Sequence, residues 1–239
     1  MLGYTFRKGL IDGLPIGIGY LSVAFAFGIF AMAHGLSITE AVLISMTNLT
    51  SAGQLAAVPI MATGGLLSEL AISQFVINLR YALMSISLSQ KLDRSVRLID
   101  RFLIAFANTD EIFAVASSQR EQVGRNYMFG LALTPFFGWS LGTLLGAVAG
   151  DVLPTIVTDA LGIAIYGMFF AILLPAARHR GSVAVCILFA AALSCVFYYA
   201  PVLNTIPKGF VTIICAVVAA AVMALLAPIE TESEASGNE

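Results

Sequence analysis

The sequence predicts an all-α integral membrane protein. The expected form is a polytopic helical bundle of about seven to eight hydrophobic segments, some broken or re-entrant, with an internal repeat. Three observations carry this. The chain is 59% hydrophobic and 11% charged, whereas soluble domains run at about 45–50% and 25%. Its mean hydropathy is +0.93. Apolar runs of about 20 residues recur without strand-type alternation, which favours spanning helices over a β-barrel. The net charge is −2 with no basic tail, so nothing points to nucleic acid.

In chain order the apolar segments are 13–33, 41–63, 66–88, 102–118, 127–149, 155–177, 183–200 and 209–227. The N-terminal run is too long for a signal peptide and lacks an A-x-A end. The connections are short, so residues 1–229 are expected to form one transmembrane domain. The acidic stretch 230–239 is expected to be a disordered tail.

Basic residues set the expected orientation. Arg7 and Lys8 precede the first segment, Lys91, Arg94, Arg97 and Arg101 follow the third, and Arg178 and Arg180 follow the sixth. All three clusters are expected in the cytoplasm, with the N-terminus. Three full crossings would put Lys91–Arg101 outside, so one segment must fail to cross. Segment 41–63 is the suspect, because Asn48, Thr50, Ser51, Gly53 and Gln54 interrupt it. It reads as a helix broken near 48–54 and re-entrant, or else as an ordinary buried helix with polar packing contacts. At one constant offset Gly53, Gly65, Tyr81 and Leu88 match Gly138, Gly150, Tyr166 and Leu173. On that repeat, segment 127–149, with Pro135 and Gly138, is a second broken element.

Segment 66–88 carries Arg80, a residue that costs roughly 2.5–3.5 kcal/mol at the centre of a membrane helix. On a helical wheel Ile72, Phe75, Val76, Leu79, Ala82, Leu83 and Ile86 form an apolar arc for lipid. Gln74, Asn78, Tyr81 and Ser85 line a second face, and Glu69, Ser73, Arg80 and Ser87 a third. At 1.5 Å per residue Glu69 is about 16 Å from Arg80, too far for direct pairing. Arg80 either snorkels to the headgroups or pairs inside the bundle.

Asp110 and Glu111 are the other costly pair, in "FANTDEIFAV". With Asn108 as N-cap, Glu111 falls at the capping-box position, and first-turn carboxylates favour the helix dipole. A helix start at that depth implies another break. The same acids suit proton or cation coupling, and the two roles are compatible.

No catalytic set, P-loop or CxxC is present, so an enzyme ranks last. Cys186, Cys195 and Cys215 sit in apolar helix without paired spacing, and His34 and His179 lie in loops. No metal or cofactor is expected. A channel or carrier for another small organic solute, or a membrane scaffold subunit, shares the composition.

Four stretches, "GLPIGIGYLSVAFAFGIFA" (13–31), "SAGQLAAV" (51–58), "FVINLRYALMSISLS" (75–89) and "TDEIFAV" (109–115), resemble the AzlC-like family. The resemblance implies the large subunit of a bacterial branched-chain amino acid exporter in the inner membrane, with a small AzlD-type membrane partner. Thr50 and Ser51 depart from the family pattern in "NLTSAGQL" and leave the solute open. A zwitterion with a small apolar side chain needs N–H donors at a half-helix start for its carboxylate, acceptors for its ammonium and an apolar wall. The expected contacts are Ser51, Gly53, Gln54, Asn78 and Tyr81, with Asp110 and Glu111 for ammonium binding or proton coupling and Arg80 for structural or substrate charge.

Overall fold

The computed structural model describes residues 4–154, 180–201, 203–206 and 208–226, together with 156, 170, 174, 177 and 178. The helices are α1 (Phe6–Ala33), α2 (Ile38–Thr47), α3 (Ser51–Ala62), α4 (Leu67–Lys91), α5 (Leu98–Phe106), α6 (Asp110–Ser117), α7 (Arg125–Val152), α8 (Gly181–Tyr199) and α9 (Lys208–Leu226). Of these, α1, α4, α7, α8 and α9 are long and apolar enough to cross a bilayer. Segment 155–177 and the tail from 227 onward lie largely or wholly outside the described residues.

The frame is the pair α1 and α7, packed side by side and running in the same direction. Gly9 meets Tyr127 and Leu131, Gly17 meets Thr134, and Gly28 meets Thr143 and Ala147, so both chains advance together. Small residues recur at four-residue spacing on both helices: Gly9, Gly13 and Gly17 on one, Gly138, Gly142 and Gly146 on the other. Lipid tails are as apolar as leucine, so helices in a membrane associate through close backbone packing of this kind.

The two short pairs dip into this frame from opposite ends. The start of α2 packs with Phe30 and Ala31 near the end of α1, through Leu36 and Ala41. The α2–α3 junction reaches mid-helix, where Leu49 packs on Tyr20, Ala24 and Trp139. α3 then returns to the first end, with Val58 against Phe27 and Ala147. α4 crosses to the other end and delivers Leu88 and Leu92 to a core with Val123, Tyr127 and Met128. From there α5 descends with Ile104, and α6 climbs back with Ile112 and Ala116 into the same core.

This topology puts Lys91–Arg101 at the same end as the N-terminus. Tyr4 Oη accepts from the Glu121 N–H at 3.3 Å there. Buried Asp100 pairs with Arg125 at 2.9 Å and accepts from the Arg97 N–H at 3.0 Å. Segment 41–63 is accordingly broken into α2 and α3, a hairpin whose two outer ends both stand at the end opposite the N-terminus.

The break expected ahead of Asp110 is seen: segment 102–118 is made of α5 and α6, broken at 107–109. One expectation is corrected. Segment 127–149 is not broken: α7 runs as one helix of 28 residues through Pro135. Proline is tolerated within membrane helices where neighbours support the backbone. Here Gly17 abuts Thr134 and Pro135, and a Cβ on Gly138 would run into the Gly17 carbonyl. Its Pro and Gly serve close packing, not a break. The proposed repeat therefore loses its second broken member, and Tyr166 and Leu173 lie outside the described residues. Among the described residues five helices are long and apolar enough to span, and two hairpins of short helices stand beside them.

Candidate functional site: a charged cavity between two helix breaks

The first break is made by Asn48, whose Oδ1 accepts from the Thr50 N–H at 3.1 Å and the Thr50 hydroxyl at 2.7 Å. Such a local side-chain turn competes with the helix ladder and ends it. The second break is made by Thr109, with extended backbone, whose hydroxyl accepts from the Ile112 N–H at 3.4 Å. Thr109 is thus the N-cap of α6, not Asn108, and Glu111 falls at the second helical position, not the third. The Asn108 amide instead reaches across to Ser85 on α4 at 3.3 Å.

The two breaks face each other across a cavity of about 580 Å³. This lies within the usual range of about 300–1,000 Å³ for small-molecule sites. Ser51, Ala52 and Leu49 come from the first break, Thr109, Asp110 and Glu111 from the second. α4 contributes Ile77, Arg80 and Tyr81; α1 contributes Ile16, Tyr20 and Val23; α7 contributes Trp139.

Arg80 is paired within the bundle. Its Nη2 lies 2.8 Å from Asp110 Oδ2 and donates to Tyr81 Oη at 3.0 Å. Tyr20 donates its O–H to Glu111 and stacks edge-on against Trp139, with ring centroids 5.1 Å apart. Each of the adjacent carboxylates therefore has a different partner, one a cation and one a phenol.

The helix starts are also unequal. α6 carries Asp110 and Glu111 in its first turn, which offset its positive end, while α3 has no acid in its first turn. Arg80 and the start of α3 offer positive charge and N–H donors, and Asp110 and Glu111 supply acceptors. Ile16, Val23, Leu49, Ile77 and Trp139 complete an apolar wall.

Behind this wall lies a hydrogen-bonded layer that holds the breaks in place. Gln54, fully buried, accepts from Trp139 Nε1 at 3.1 Å and donates to Ser45 at 3.0 Å. Gln74 donates to the Gly53 carbonyl at 2.9 Å and accepts from Asn48 at 3.4 Å. Asn78 donates to the Gln74 carbonyl at 2.8 Å. Gly53 is tight because a Cβ there would contact Thr50 and Gln74.

Of the residues singled out in the sequence, Ser51, Arg80, Tyr81, Asp110 and Glu111 come together at the cavity. Gly53, Gln54 and Asn78 sit in the supporting layer. Tyr20 and Trp139 were missed, since aromatic residues in long apolar helices read as core. Their only sequence signal is a polar tip at a depth where it needs a partner.

These features define a polytopic helical membrane protein with a polar, charge-lined centre at the tips of opposed half-helices, the form taken by membrane transport proteins. The profile of the AzlC protein family matches residues 15–153. An uncharacterized membrane protein of Archaeoglobus fulgidus is 37% identical over 177 residues, covering 73% of this chain and 77% of its own. Inner membrane protein YgaZ of Escherichia coli is 32% identical over 198 residues, covering 80% of each. No solved structure matches. The chain belongs to the AzlC family, a membrane family associated with amino-acid transport and not with catalysis.

Proposed function

We propose that the chain is the large subunit of a secondary exporter for branched-chain amino acids, driven by the proton gradient across the bacterial inner membrane. Its N-terminus lies in the cytoplasm, and a small AzlD-type membrane protein is its partner. The single observation that carries the reading is the cavity: both signs of charge stand beside an apolar wall, at the meeting of two helix breaks.

A valine, leucine or isoleucine zwitterion matches that arrangement. Its carboxylate meets Arg80 and the N–H groups opening α3 at Ser51. Its ammonium meets Asp110 or Glu111, and its side chain meets Ile16, Val23 and Leu49. An arriving carboxylate competes with Asp110 for Arg80, which frees the Asp110 carboxylate for the ammonium. Glu111, held by a phenol and not by a cation, is assigned to proton coupling. Two of the basic clusters support the orientation: Arg7 with Lys8, and Lys91–Arg101, stand at one end of the bundle, the end expected in the cytoplasm.

The test is efflux of a panel of amino acids from vesicles holding this chain, with and without its small partner, under an imposed proton gradient. Selective, gradient-dependent efflux of valine, leucine and isoleucine is the expected result. Efflux of none of them, with the protein present in the membrane, would overturn the reading.

A further inference from the structure

A second cavity, about 570 Å³ in volume, lies on the same α3/α4 seam toward the end opposite the N-terminus. α3 presents Ala52 to the central cavity and Leu55, Ala56 and Pro59 to this one. α4 presents Arg80 and Ile77 to the first and Ser73 and Glu69 to the second. The two cavities thus follow one another along a single groove, with Glu69 about 16 Å from Arg80 along the helix.

Glu69 is only 4% exposed. It accepts from the Gly209 N–H at 2.7 Å, at the start of α9. The ion pairs of the described residues join Lys8 to Asp12, Arg80 to Asp110 and Arg125 to Asp100, and Glu69 takes part in none of them. One turn along, Ser73 is 1% exposed, lines the same cavity, and its hydroxyl has no hydrogen-bond partner among the described residues. A buried carboxylate facing a buried, unpartnered hydroxyl is costly unless something occupies the space between them. Thr63 and Thr212 line the same cavity beside its apolar residues, and the carboxylate with the Ser73 hydroxyl selects a compact, cationic hydrogen-bond donor.

We propose that this cavity is a second binding site for the ammonium group of the transported solute, with Glu69 and Ser73 as its acceptors. It stands between the central cavity and the end of the membrane opposite the N-terminus. The inference rests on the transport reading above. It adds a site whose two assigned acceptors, Glu69 and Ser73, both recognise the ammonium. A solute leaving the central cavity along the seam exchanges Asp110 and Glu111 for Glu69 without passing through a region lacking acceptors.

The experiment is equilibrium binding of tritiated L-leucine to the purified full chain, with isobutylamine as competitor. The wild-type chain should bind two leucines, one of them displaced by isobutylamine, which has the ammonium and the branched side chain but no carboxylate. Glu69→Gln keeps an acceptor for the Gly209 N–H and should bind one leucine, insensitive to isobutylamine; that remaining site reports an intact fold. Ser73→Ala should bind two, the amine-sensitive one roughly tenfold more weakly. One leucine per chain in the wild type and in both variants, with leucine transport intact, would refute the second site and spare the transport reading. No leucine bound and none transported would overturn both.

Discussion

Arg80 Nη2 lies 2.8 Å from Asp110 Oδ2, and this pair links the middle of α4 to the first residue of α6 across the central cavity. It accounts for an arginine in the middle of an apolar helix, since the cation faces a half-helix start and not lipid. Both side chains are about half exposed, to the cavity, so the pair itself adds little to stability, about 0–1 kcal/mol. Arg80→Ala should therefore accumulate as folded protein yet lose roughly tenfold or more in leucine export, the loss of a charge-assisted contact to the solute. Arg80→Lys keeps the charge but not the planar fork that reaches both Asp110 and Tyr81, and should fall between the two. Export rates normalised to membrane protein check this; normal export by the alanine variant removes Arg80 from the site.

Glu111 and Asp110 are neighbours in sequence with different work to do. A glutamine at 111 still accepts from Tyr20 but cannot gain or lose a proton. Glu111→Gln should lose gradient-driven export while retaining exchange of internal for external leucine, which needs no net proton movement. Asp110→Asn should weaken both processes, because it alters the solute's own contacts. Uptake and exchange measured side by side in proteoliposomes separate them. If both amide variants export normally with unchanged pH dependence, the carboxylates serve only the start of α6.

The α1/α7 seam makes a prediction about stability. Gly138 lies directly against Gly17, and an added Cβ meets the Gly17 carbonyl, a rigid backbone group. Gly138→Ala should cost about 1–3 kcal/mol by overpacking and lower the unfolding temperature in detergent by several degrees. Gly181→Ala, where a Cβ meets nothing within 4 Å, is the matched control and should leave it unchanged or slightly raised. Fluorescence-detected thermal unfolding of the two variants decides it.

Topology is testable with single cysteines. A cysteine at Ser95, in the loop at the N-terminal end, should resist an impermeant thiol reagent added to intact cells. One at Thr63, after the α2–α3 hairpin, should react. The reverse pattern would invert the protein in the membrane, and reaction at both positions would break the hairpin topology.

Much of this architecture is legible in the sequence because membranes price polarity heavily. Asn48 and Thr50 within 41–63, and Arg80 within 66–88, stand out for that reason, and basic loops forced one hairpin. The lipid-facing arc of α4 emerges as expected, with Phe75, Leu79, Leu83 and Ile86 all exposed. Pro135 and Gly138 mislead because the same residues serve a break or a tight seam, and only the glycine stripe on α1 distinguishes the two. Asn108 misleads by one residue: Asn and Thr are both good caps, and the choice is settled by Ser85, distant in sequence. Gln54 and Asn78 are polar for the sake of the breaks they brace, a distinction that depends on which side of α3 and α4 faces the cavity.

The central claim is that the solute binds between the two breaks. Its most direct test is the rate at which a cysteine at Ala52 is alkylated, with Cys186, Cys195 and Cys215 replaced by alanine. Ala52 lines the cavity beside Ser51. Saturating L-leucine or L-valine should slow that reaction several-fold, while L-lysine and L-glutamate, whose extra charge has no place against the apolar wall, should leave it unchanged. An alkylation rate untouched by leucine at concentrations that saturate its export would contradict the account.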